Sequence, residues 1–167
     1  MSRILLGGFA GIAATVAMTA AMRRLHNAVS RDQRYPLPPR QIVDQVGWSG
    51  NERSKRNLTI FAHVGYGAVM GSLFAFLPRR IGGTRFGLAV GALSYLGWIP
   101  ACGILSPAIS HPVQRTLLML AAHLVWGRTL AISLSELETS RNDVFGRSRL
   151  QANRDEPEMT TGPTLKA

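Results

Sequence analysis

Residues 4–22 read ILLGGFAGIAATVAMTAAM, an apolar run without one charged side chain. A helix rises about 1.5 Å per residue, so roughly 20 such residues are what it takes to cross the hydrocarbon of a bilayer. Arg3 stands just before the run and Arg23-Arg24 directly after it, as at the flanks of a membrane anchor. A cleaved signal peptide would have a shorter apolar region and no basic pair at its end. The stretch therefore reads as a first, retained membrane span.

Three more runs follow the same logic. Residues 58–77, LTIFAHVGYGAVMGSLFAFL, form a second span, stopped by Pro78-Arg79-Arg80. Residues 86–105, FGLAVGALSYLGWIPACGIL, form a third, with Pro100 near its far end. Residues 113–134, VQRTLLMLAAHLVWGRTLAISL, form a fourth, and Arg115, His123 and Arg128 lie within it. A soluble chain spreads its charges along amphipathic elements, whereas this one keeps them in the connections. The fold class expected is all-α, an integral membrane bundle of four transmembrane helices within residues 1–134. Residues 135–167 read as a polar tail without fixed structure, with about 135–142 extending the last helix.

At 167 residues the chain is one domain, and its formal charge is +10. Such a charge can mean nucleic acid, but here the basic residues border apolar spans, where anionic lipid headgroups would meet them. A bilayer surface is the expected partner, and nucleic acid is not. Cys102 is the only cysteine, so no internal disulfide is possible. The basic residues divide almost evenly between the two sides. Leaving out the distant Lys166 tips the tally slightly toward a cytoplasmic first loop, but an unfolded charged tail is more usual inside, and on that ground both termini are expected to be cytoplasmic.

The loop of residues 23–57 has a proline-rich centre at 35–40, and Pro36, Pro38 and Pro39 predict extended chain there. Residues 41–46 read as a short helix with Ile42, Val43 and Val46 on one side, suited to lying in the interface. Arg40 and Asp44 are spaced to pair across one turn.

Within the spans, Gly7 and Gly11, Gly67 and Gly71, and Gly83, Gly87 and Gly91 recur four residues apart. Lipid supplies no hydrophobic drive between helices, so such faces hold bundles together by close backbone approach. They are expected to pack the first three spans, and one of them could also serve a homodimer. No strand–loop–helix context surrounds these glycines, which excludes a dinucleotide fingerprint.

An ionisable residue at membrane depth marks a candidate site. His63 lies in the second span, and His123, Trp126 and Arg128 lie in the fourth. Those two spans run in the same direction, so the histidines enter the bilayer from one side. Three readings follow. The histidines could be neutral and bonded to carbonyls or hydroxyls of neighbouring helices. They could line a polar path, with Arg128 as its electrostatic element. They could ligate haem between helices. No span contains an aspartate or glutamate, which weakens proton-coupled transport. Serine-nucleophile, paired-carboxylate and phosphate-loop motifs are all missing, and no cofactor or metal set is expected.

PLPPRQIVD (Pro36–Asp44), GLAVGAL (Gly87–Leu93), IPACGILSP (Ile99–Pro107) and AHLVWG (Ala122–Gly127) occur in that order around the spans. In this the chain resembles the YagU-like family, small multi-pass inner-membrane proteins of bacteria with no established biochemical activity. The resemblance covers most of residues 1–134. It implies a bacterial inner-membrane location and draws attention to His123, Trp126 and residues 36–40. The chain departs from the family pattern in its shorter first loop and in lacking an acidic residue soon after HLVW, so no role of such an acid carries over. The function expected is that of a non-enzymatic membrane protein, structural, stress-related or accessory, meeting a membrane partner or its own copy. A small oligomeric transporter or channel is the first alternative, and a haem-binding protein the second.

Overall fold

The computed structural model describes residues 2–28, 38–45, 50–103 and 113–155. Helix α1 spans Arg3–Ala28, α2 Pro38–Gln45 and α3 Glu52–Phe76. A third long rod starts as α4 (Gly83–Ala92), passes through a π turn (Leu93–Trp98) and ends as α5 (Ile99–Ala101). Helix α6 runs from Val113 to Asp155. There is no strand among the described residues. Among the described residues, three helices are long and apolar enough to cross a membrane, namely Arg3–Asn27, Glu52–Phe76 and Thr116–Asp143.

The core follows from a four-residue period. On α1, Leu6, Ala10, Ala14, Met18 and Met22 are buried; on α6, Leu118, Ala122, Trp126, Leu130 and Leu134 are. Each set forms one stripe, because residues four apart lie on the same helix face. The outward faces of these helices are apolar too, with Val16 of α1 61% and Leu117 of α6 59% exposed, and so is that of α3, where Phe61 is 74% exposed. In water such faces would carry a penalty of about 25 cal/mol per Å². Against lipid tails they carry none, and this is the surface of a membrane protein.

Two glycine seams bring the helices together. A Cβ on Gly11 would overlap the carbonyl oxygen of Gly67, and one on Gly71 would overlap that of Gly7. Backbone therefore lies directly on backbone between α1 and α3, at a separation only glycine permits. The second seam corrects the expected packing of the third span. Gly83 and Gly87 lie against Gly127 and the His123 carbonyl, so this ladder seats the third rod on α6 rather than on the first two helices. The reason is small residues on α6 itself: Gly127, and Ala131 one turn later, whose methyl group faces Gly83.

Pro100 shapes the third rod. Its ring has no N–H and crowds the carbonyl four residues back, a conflict that a widened turn relieves. The Ile99 N–H accordingly reaches back five residues to the Ser94 carbonyl.

Two further expectations are corrected. Pro38 and Pro39 form the first turn of α2 instead of extended chain; a helix's first N–H groups lack intrahelical partners anyway, so proline is tolerated there. Pro36 lies outside the described residues. The last helix does not give way to a structureless tail near residue 142, because α6 continues to Asp155. Polarity ends a membrane span but not a helix, and the arginine, leucine, glutamine and alanine of 148–154 are good helix formers. Residues 156–167 lie outside the described part.

Ion pairs fasten one end of the bundle. Glu138 on α6 accepts from Arg3 Nε at 2.6 Å and from Arg79 Nη2 at 3.0 Å. Arg3 also donates to the Ala75 carbonyl. One carboxylate thus ties the start of α1, the end of α3 and the following turn to α6.

Candidate functional site

At the other end the helices diverge around a cavity. Asn51 caps α3 by accepting the Ser54 N–H at 2.9 Å, which fixes where that helix begins. The short α2 is then strapped to this first turn. Arg40 donates to Asp44 at 2.9 Å and to Glu52 at 3.0 Å, and Lys55 Nζ lies 3.7 Å from Asp44. The Arg40 hydrogen bond holds the Asp44 carboxyl below its ordinary range, and hydrogen bonds to Asp44 and Glu52 raise the Arg40 guanidinium further. With α2 held there, Ile42 and Val43 turn toward the bundle and Val43 is buried.

Beneath α2 lies a cavity of about 290 Å³. Met18 and Met22 of α1, His63 and Tyr66 of α3, Ser94, Tyr95 and Trp98 of the π turn, and Met119 and His123 of α6 all line it. The histidines of the second and fourth spans thus share one chamber. None of its lining residues carries a fixed charge.

His123 has a defined posture. Its Nδ1 is 2.8 Å from the Met119 carbonyl oxygen. A carbonyl only accepts, so Nδ1 holds the hydrogen and Nε2 of the neutral ring is left as an acceptor. The ring lies flat against Gly91, where any Cβ would strike it. His63 makes no hydrogen bond among the described residues. Across the chamber, Tyr66 and Ser94 share a hydrogen bond at 2.9 Å, and Tyr66 lies beside Trp98 with ring centroids 6.4 Å apart. The π turn is what points Ser94, Tyr95 and Trp98 to one side, and such turns are frequent at functional sites.

The chamber is closed below. Trp126 is buried and donates its indole N–H to Thr15 at 3.1 Å; Thr15 in turn donates to the Gly11 carbonyl at 2.8 Å. Phe86 packs between Phe74 and Trp126, at centroid distances of 5.2 and 6.1 Å. Trp126 is therefore part of the floor and does not line the cavity. Arg128 is exposed on α6 and belongs to neither.

A second hollow, about 470 Å³, runs between α1 and α3 and shares His63, Thr59 and Met22 with the first. Arg23 and Arg40 lie along it with Val16, Ile60 and Val64. Among the described residues, no three His, Cys, Asp or Glu side chains gather closely enough to hold a metal ion.

Sequence reasoning missed Gly127, Tyr95 and the ion pairs of Glu138, and it reached Thr15 and Tyr66 only as hydroxyls that the histidines could bond. Gly127 and Ala131 do repeat the four-residue spacing of small residues, a signal that could have been found. Thr15 carries no such signal, since its importance comes from a residue on another helix.

The family model of DUF6789, described as a family of unknown function, matches residues 1–144. No curated protein and no solved structure matches the chain.

Proposed function

The chain belongs to DUF6789, a family of unknown function, and we propose that this member is a non-catalytic accessory protein that crosses a membrane four times and works by binding. The observation that carries this reading is the chamber under α2. It is assembled from helices distant in sequence, beside the seams that bring their backbones together. Its lining offers hydrogen-bond acceptors, aromatic rings and methionines, and lacks a paired carboxylate or an activated nucleophile.

The third rod, Gly83–Ala101, supplies the fourth crossing. This predicts that Cys102, which is exposed, reacts with impermeant thiol reagents from one side of the membrane. In a Cys102→Ala background, Asn51→Cys reacts from that same side and Arg80→Cys from the other. If Cys102 and Arg80→Cys report one side, the four-span arrangement is wrong. Arg23 and Arg40 along the α1–α3 hollow suit anionic headgroups, and the YagU-like motifs favour a bacterial inner membrane.

Transport is the second reading, favoured by the two histidines facing one chamber. It has to contend with the Thr15–Trp126 bond and the aromatic layer, which block a path through the single chain. Equal proton flux through proteoliposomes of the native protein and of the His63→Ala, His123→Ala double variant would remove it. Haem between the histidines is tested by absorbance of the purified protein, and absence of a Soret band removes that reading.

A further inference from the structure

We infer that the chamber under α2 takes an uncharged, single-ring amphiphile bearing a hydroxyl donor, a molecule of the phenol class, entering from the membrane. The inference rests on the binding role proposed above and names the chemistry of its ligand.

The lining excludes most other occupants. A cation would find no carboxylate there and an anion no arginine or lysine, because Arg40 is bonded to Asp44 and Glu52 and borders the neighbouring hollow instead, and Lys55 lies against Asp44. A bare hydrocarbon would leave the polar edge of the chamber unmatched, and a buried polar group without a partner is costly. His123 decides the polarity of that edge. Because its Nδ1 hydrogen is committed to the Met119 carbonyl, its other nitrogen can only accept. At this nitrogen a ligand hydroxyl meets that requirement, whereas an ether or carbonyl oxygen would have to turn to the N–H of His63 or the hydroxyls elsewhere on the wall. Gly91 holds the ring in this posture by lying flat beneath it.

Size and shape agree with this class. At about 290 Å³ the chamber is at the small end of ligand sites, enough for one ring and a short tail. Tyr66 and Trp98 give the ring tilted aromatic faces to lie against. Met18, Met22 and Met119 are flexible and polarizable, and they adapt to a tail of variable shape.

The test uses the full chain in lipid nanodiscs, with ring-brominated para-pentylphenol and its methyl ether as probes. Saturable quenching of Trp98 fluorescence by the bromine reads binding, and a Trp98→Phe variant identifies the quenched residue. One hydrogen bond in a water-poor chamber corresponds to roughly tenfold in affinity. The phenol is therefore expected to bind about tenfold more tightly than the ether, and the ratio to fall toward one in His123→Phe, which keeps a ring against Gly91. Should His123→Phe fail to fold, Gly91→Ala shifts the ring and is expected to lower the same ratio. Equal affinity of phenol and ether for the native protein overturns donor recognition while leaving a binding chamber in place. Tighter binding of the ether points to a hydrocarbon occupant and also overturns it. No saturable quenching by either probe removes the binding role itself.

Discussion

Trp126 on the last helix donates its indole N–H to the hydroxyl of Thr15 on the first, at 3.1 Å and across 111 positions of sequence. Both residues are buried, with Thr15 1% and Trp126 3% exposed. The bond exists because Gly67 has no side chain: a Cβ there would sit on the Thr15 oxygen. A glycine of one helix pair thus sets a hydrogen bond of another.

That dependence makes Gly67→Ala a sharp test of the packing. The added methyl must push Thr15 away, at a cost of about 1–3 kcal/mol for an overfilled core. Gly65→Ala is the control, because nothing lies within 4 Å of a Cβ at that position. It should be neutral or slightly stabilising, since alanine is the better helix former. Adding Thr15→Ala to Gly67→Ala should recover part of the loss, giving a coupling of about 1 kcal/mol. Thermal unfolding in detergent measures all four proteins. Equal midpoints for the two alanine variants would show that this seam is not formed as described.

Glu138 offers a second test, at the opposite end. Glu138→Gln removes the charge that both Arg3 and Arg79 face, and a hydrogen bond to a charged group contributes about 1.5–3 kcal/mol. The Arg79 side chain is 76% exposed, so its share is small, on the order of 0.5 kcal/mol. Arg3→Gln should therefore cost nearly as much as Glu138→Gln, Arg79→Gln very little, and the Arg3, Glu138 double variant no more than the worse single one. Chemical unfolding of the four variants settles the order. Additive losses in the double variant would mean that the two residues act separately.

What the sequence made legible follows the range over which its causes act. Spans one, two and four were readable because their cause is local: a run of apolar side chains long enough for hydrocarbon. Gly7, Gly11, Gly67 and Gly71 were readable as a pair of faces, because small residues one turn apart form a stripe on any helix. Which stripe meets which was not readable. The ladder at Gly83, Gly87 and Gly91 finds Gly127 and His123 on α6, and that choice depends on how all the helices assemble. Placing His63 and His123 at a common depth needed only the direction of their spans. Separating them from Trp126 and Arg128 needed the rotation of α6, which the two glycine seams set together. The helical course beyond about residue 142 was hidden for a different reason, since loss of hydropathy marks the edge of a bilayer and says nothing of the backbone.

Arg128 lies on the exposed face of α6 and has no hydrogen bond or ion pair among the described residues. Its long side chain can follow the helix surface toward headgroups. Arg128→Leu is then expected to leave the unfolding midpoint of the isolated chain unchanged, within about 0.5 kcal/mol. A large loss would reveal a buried partner for the guanidinium. Sedimentation of the same variant in mild detergent shows whether this face also joins two copies, because only then would the leucine change the assembly state.

The cover of the chamber should depend on pH through Asp44. Its carboxyl titrates below the ordinary aspartate value, first because Arg40 donates to it and also because the charges of Arg40 and Lys55 are close. A group whose folded value is lowered contributes its full share above the unfolded value, about 3.9, and loses it as pH falls through the folded one. Arg40 stays charged throughout that range, so Asp44 is the member of this pair that titrates. The docking of α2 should hold from pH 7 to about 5 and loosen below about 4. A spin label at Gln45→Cys, in a Cys102→Ala background, reads this as a rise in mobility. Asp44→Asn should show the mobile signal already at pH 7. If the label is equally restrained at low pH and in Asp44→Asn, then Asp44 does not hold α2, and the Arg40–Glu52 pair and the packing of Ile42 and Val43 keep it over the chamber without it.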